Sequence, residues 1–360
     1  MDFGKYFKLE MTDYRLLLVI QKQLILNDIE LTTDKDRRII KEDWFWEWQK
    51  NVTRAINQKE FPSFTDSFLQ KKFSSLDPET QNLIFLEAIA FLPYFIISDR
   101  GSGATKGLDK LNEDFRIGWV VKLQSLFPKK IEVIDQIKVT YSQALKEIMG
   151  KDWSNSSRNK SILAIAGAAV ALAVTGGVAA PLIGGIIGST FLGLSGAAAT
   201  SAGLAFLGGG ALAAGGLGMA GGTALIIGGG AILGGLVGAN IINEKDGSIS
   251  STLLSAFDTN YVLTNCSKIV TITKLIAKKE DRASLIVSLI DENEKNIKNL
   301  SELKNKSGKS FKKVFEKTSG KLDDKDEANI KNTIEKNIGL IKNTNAILGQ
   351  IMANQWPKEK

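Results

Sequence analysis

Imidazole chemistry is closed to this chain, which contains no histidine. That removes Ser-His-Asp triads, histidine general bases and histidine-bound metals from consideration. The one cysteine, Cys266, excludes an intrachain disulfide and any multi-cysteine zinc or iron–sulfur site, and reads as a small buried apolar side chain. Acidic pairs occur at Glu42–Asp43 and Glu113–Asp114, but neither has metal-ligand spacing or a catalytic partner. GSGATKG at Gly101–Gly107 suggests a phosphate loop, yet Lys106 stands where G-x-G-x-x-G needs its last glycine. GKS at Gly308–Ser310 fails the Walker spacing, because the first glycine would fall at Leu303. Both read as ordinary turns. No enzyme, cofactor or metal is expected.

The chemistry that remains is that of charge. Lys304, Lys306, Lys309, Lys312, Lys313, Lys317 and Lys321 face only Glu316 in their stretch, with Phe311 and Phe315 interleaved. Clustered lysines attract phosphate without reading sequence, so this stretch is expected to bind an oligonucleotide, another anionic ligand or a lipid head group. A solvated helix face is the plainer reading of the same residues. The formal net charge of +7 agrees with anionic partners where the charge is clustered.

The rest of the chain must position that cluster, and its charge distribution is uneven. No Asp, Glu, Lys or Arg occurs from Ser161 to Asn243. A helix apolar all round must be buried all round, and the flanks are too small to wrap such a segment as well as their own cores. A bilayer supplies that environment, since about 20 apolar residues span its hydrocarbon as a helix. Ser161–Ala180 (ended by Pro181), Leu182–Leu207 and Ala211–Ile242 have the length for three spans. Two or four crossings use the same residues.

Glycine fills this segment although it disfavours a helix in water by about 1 kcal/mol relative to alanine. In lipid the backbone must satisfy its own hydrogen bonds, and bare glycine faces let helices approach closely. Gly184 and Gly188, Gly218 and Gly222, and Gly230, Gly234 and Gly238 are spaced by four. Gly208, Gly215, Gly222 and Gly229 recur every seven. These are the expected helix-packing positions. Thr175, Ser189, Thr190, Ser195, Thr200, Ser201, Thr223 and Asn240 are the expected pore lining, or else hydrogen-bonding glue between helices.

The fold class is therefore mainly α: helical soluble flanks around a Gly/Ala-rich α-helical transmembrane region. The expected divisions are an N-terminal helical cytosolic domain (1–150), the membrane-inserting domain (151–243) and a basic helical sensor or assembly domain (244–360). In the first, Leu17, Ile20, Leu24 and Leu31 share a face, Trp44 and Trp48 share another, and Asn82–Ser98 reads as a buried helix interrupted by Pro93. In the last, Ile330, Ile334, Ile338, Ile341, Leu348 and Ile351 form an amphipathic stripe behind an acidic start. The charged N-terminus does not read as a secretory signal. Lys151, Arg158 and Lys160 beside Trp153 favour cytoplasmic retention. An even number of crossings with both flanks in the cytoplasm is expected.

This layout, with the span AAVALAVTGGVAAPLIGGIIG between a helical domain and a basic end, resembles the glycine-rich membrane effectors of bacterial anti-phage defence, such as the channel component of Hailong systems. The resemblance implies a tetrameric inner-membrane channel whose C-terminal region senses an oligodeoxyadenylate made by a partner enzyme. The G-x-S-x-G elbow and histidine of glycine-rich membrane hydrolases are missing. The function expected is a homo-oligomeric channel or pore-forming effector gated by an anionic signal. The alternative is a non-conducting, membrane-anchored scaffold.

Overall fold

The computed structural model describes residues 11–55, 60–91, 93–94, 111, 116–153, 259–305 and 324–355. Helix takes 89% of them, with no strand among them. The first helix, α1 (Met11–Leu31), buries Leu17, Ile20 and Leu24, and also Leu16, Leu18 and Val19. Its middle is covered on several sides. Leu31 departs from the expected face and is 59% exposed, because the helix ends there and the chain turns away from the core. In that turn the Thr32 hydroxyl donates to the Asp28 carbonyl at 2.7 Å, and Asp34 Oδ1 accepts the Arg37 N–H at 2.8 Å. Asp34 thus satisfies one of the open N–H groups that begin α2 (Lys35–Ala55).

Trp44 and Trp48 share the buried face of α2, with ring centroids 6.0 Å apart. Trp46 lies on the opposite face and is 70% exposed. Thr65 caps α3 (Asp66–Ser74) by accepting the Phe68 N–H. Asp77 caps α4 (Pro78–Ile89) by accepting the Thr80 N–H at 2.9 Å, with Pro78 placed where no N–H is needed. Apolar side chains crowd α4, and every residue from Leu83 to Ile89 is buried, Glu87 included. The helix stops well short of the expected run to Ser98. Tyr94, just after Pro93, takes a positive φ of 63° that continued helix would not allow.

Phe73 of α3, Phe85 of α4 and Phe127 form an aromatic cluster with centroids 4.5–5.2 Å apart. Phe127 follows α5 (Arg116–Leu126), whose end is tied to α3 by the Gln70 amide donating to the Leu126 carbonyl at 2.7 Å. A 3-10 turn at Pro128–Lys130 leads into α6 (Ile131–Trp153). The α-helical path of α6 breaks at Gly150, which has φ 65° and ψ −180°. That backbone conformation is open essentially only to glycine.

Three long elements follow the apolar segment. They are α7 (Thr259–Thr271), continued by a π turn at Ile272–Ile276, then α8 (Lys279–Asn305) and α9 (Asp324–Gln355). Helix α7 packs between α6 and α9, α8 lies along α9, and the π turn touches α4. The α9 stripe is buried at Ile334, Ile338, Ile341 and Leu348, with Ile330 and Ile351 at its margins. Residues before 153 and after 259 therefore belong to one continuous hydrophobic core. No helix among the described residues is long and apolar enough to cross a membrane. The segment Ser161–Asn243, with its expected spans, packing glycines and pore-lining side chains, lies outside the described residues.

Candidate functional site

The flanks meet on α7. Every side chain from Val262 to Thr273 is buried, although the run includes Thr264, Asn265, Ser267, Lys268, Thr271 and Thr273. Burying a hydroxyl costs little only if it is hydrogen-bonded. Three of these turn back on their own helix. Ser267 donates to the Leu263 carbonyl at 2.8 Å, Thr271 to Ser267 at 2.7 Å, and Thr273 to Ile269 and Val270, each at 3.0 Å. The π turn closes with the Ala277 N–H donating to the Ile272 carbonyl at 2.8 Å. Such back-bonding tends to bend a helix, and π turns concentrate at functional positions.

Lys268 cannot be satisfied in that way. Its ammonium is wholly buried, 3.7 Å from the buried Glu87 carboxylate of α4 and beyond hydrogen-bond reach. Burial pushes the amine down to about 7, against the pull of Glu87, which favours the charged form. A second buried lysine shows what full satisfaction looks like. Lys41 Nζ is 2.7 Å from Asp28 Oδ2 and 2.9 Å from the Thr32 hydroxyl, and lies over the Tyr94 ring at 5.3 Å. The Tyr94 hydroxyl donates to the same Asp28 carboxylate. Burial first, then the Asp28 charge, pushes that phenol well above its ordinary range. Lys41 closes the α1–α2 corner of one flank, whereas Lys268 bridges two flanks with a looser pair.

The last turn of α6 is held from the C-terminal side. The Asn343 amide of α9 donates to the Ile148 carbonyl at 2.9 Å, occupying an acceptor that the end of the helix leaves open. Lys274 of the π turn pairs with Glu147 at 2.6 Å. Gly150 then breaks the helix, and the charge-free segment begins a few residues later. We take Glu147, Ile148, Gly150, Lys274 and Asn343 as the candidate site: a clamp that joins α9 and the π turn to the point where the chain enters its apolar middle.

Lys304, at the end of α8, pairs with Glu335 of α9 and holds that carboxyl below its ordinary range. The remaining six lysines of the cluster, from Lys306 to Lys321, lie outside the described residues, in the connection between α8 and α9. Cys266 is buried as expected, and burial raises its thiol to about 12, so the reactive thiolate is suppressed at neutral pH. Sequence reasoning missed Lys268, Lys274 and Asn343 as contacts to the other flank. A signal was present in Glu87, the one acid in an apolar helix, which required a cationic or protonated explanation. Comparison of the chain with protein-family models, with curated proteins and with solved structures returns no match.

Proposed function

We propose that the protein is a homo-oligomeric, multi-pass membrane channel or pore-forming effector of the bacterial inner membrane, gated by an anionic, oligonucleotide-like signal and acting in anti-phage defence. The observation that carries this reading is a charge-free segment from Ser161 to Asn243 inserted between two flanks that share one core. A segment leaving a body and returning to it crosses a bilayer an even number of times, with both flanks on the cytoplasmic side. Its weakly apolar Gly/Ala helices insert better as a packed assembly than singly, which favours several copies around one conduit.

The clamp supports a route for gating. The lysine cluster joins α8 to α9, α9 holds the Ile148 carbonyl through Asn343, and Ile148 immediately precedes the break at Gly150. A polyanion, supplied by a signal-producing enzyme, that reorganises the α8–α9 connection would shift α9 and so the start of the membrane segment. Such a shift requires differential binding to two arrangements of that connection.

Planar bilayer recording of the purified protein, with and without oligonucleotides, tests the proposal. Discrete, oligonucleotide-dependent conductance is expected. Stable membrane residence without conductance would replace the channel with a scaffold. Reversing Lys309, Lys312 and Lys313 to glutamate should weaken oligonucleotide binding and flatten its salt dependence, because fewer counterions are released. An unchanged salt slope would remove those lysines from the site.

A further inference from the structure

We infer that the exposed face of α2 is a contact surface for a second copy of this chain, laid antiparallel across it. Three tryptophans fall within five residues of α2, and the core uses only two. Trp46 is 70% exposed, and Ile39, two turns earlier on the same face, is 55% exposed. A tryptophan in that position places a large apolar area in water, and tryptophan is among the residues that most often anchor protein interfaces.

The charge around Trp46 identifies the occupant. The first turns of α2 are basic, with Lys35, Arg37 and Arg38 against Asp36, whereas the middle is acidic at Glu42, Asp43 and Glu47 before Lys50. Basic residues in a first turn oppose the helix dipole, and a base N-terminal to its acid, as in the Arg38–Glu42 pair, is the weaker order. Stability of α2 therefore does not explain the arrangement. An anionic bilayer is disfavoured as the occupant, because acids surround the tryptophan. The surface complementary to an acidic patch around one large apolar anchor is a basic helix carrying exposed isoleucine. The N-terminal half of α2 is such a surface. An antiparallel copy sets Lys35 and Arg38 of each chain beside Asp43 and Glu47 of the other, and brings Ile39 toward the partner's tryptophan. The contact is isologous, with its two-fold axis near the middle of α2. It rests on the oligomeric reading above, which places copies of this body side by side on one membrane face.

Cross-linking in the full-length protein, reconstituted in vesicles, decides the matter. Cys266 is buried with a raised thiol pKa and leaves an introduced cysteine as the reporter. Asp43→Cys chains treated with a short bismaleimide should give a covalent dimer much faster than Glu280→Cys chains, whose cysteine lies on α8. Adding Trp46→Ala should slow dimer formation about tenfold, as expected for loss of an anchor residue. Adding Arg38→Glu should slow it as well, and adding Arg38→Glu with Glu47→Arg should restore it. Dimer formation no faster than the Glu280→Cys control, or insensitive to Trp46→Ala, overturns the inference. So does a Trp46→Ala chain that floats less with vesicles while cross-linking normally, which would assign the face to lipid. If the unaltered protein floats with vesicles and conducts, only the α2 contact has failed; if it does neither, the membrane reading itself has failed.

Discussion

At the scale of single residues, the two buried lysines separate stability from readiness to change. Lys41 has a carboxylate, a hydroxyl and an aromatic face around it, so its desolvation is offset by several contacts. Lys268 has one carboxylate at 3.7 Å, and a buried pair of that geometry is weak evidence for stability. Replacing the pair together, as Glu87→Gln with Lys268→Met, should raise the denaturant midpoint, whereas Lys268→Ala alone should lower stability by about 3–5 kcal/mol by stranding Glu87. The lysine also sets a pH dependence. Its amine titrates near 7 in the folded protein against an ordinary 10.5, so the unfolded chain binds more protons between those values. Stability should therefore rise with pH from about 7, and that gain should be lost as pH falls through about 7. Urea midpoints from pH 7 to about 8.5, below the range in which the unfolded thiol of Cys266 adds the opposite trend, should rise for the unaltered protein. They should be flat for the double variant. Equal slopes would remove Lys268 as the source.

At the scale of elements, α6 is the member on which the others converge, and its end is built from parts that can be removed singly. Gly150 sits at φ 65° with open space around its missing Cβ, so the penalty of Gly150→Ala is one of backbone conformation alone, about 1–3 kcal/mol. Thermal melts should report that loss, and an unshifted melt would mean that the break relaxes at no cost. Asn343→Ala should cost about 1 kcal/mol through the lost bond to the Ile148 carbonyl. If the clamp transmits gating, the same variant should shift the oligonucleotide concentration needed for half-maximal conductance. A lowered melting point with an unshifted response would leave the clamp a purely structural feature.

At the scale of the whole molecule, the shared core constrains how the apolar middle can be arranged. With residues before 153 and after 259 packed together, a reporter on either flank should show the same sidedness in oriented vesicles. Reporters found on opposite faces would contradict the even number of crossings. Replacing Gly234 and Gly238 with leucine should impair assembly or conduction while the helical body keeps its melting point, because that face carries contact between spans and not the core of the body. Unchanged single-channel currents would reject the glycine interface.

Much of this was legible in the residues themselves. The exclusion of histidine and disulfide chemistry follows from composition, and the buried α9 stripe and the Trp44–Trp48 pair follow from helical spacing. Periodicity reports which side of a helix avoids water, and it does so locally. It does not report what covers that side. Leu31 kept the spacing of its face and yet stands exposed, because the turn after α1 ended the surface it would have joined. Lys268 looked like one more cation downstream of the apolar run, and only the packing of α7 between α6 and α9, with Glu87 reaching it from α4, made it a buried bridge. The sequence by itself determined the helical class, the charge-free middle and the chemistry that is impossible here. The tertiary structure decided that the flanks form one body and that α9 grips the end of α6. The reason is physical: helix formation and apolar patterning depend on neighbours within a few turns, whereas contacts between residues 148 and 343 depend on how the whole chain closes.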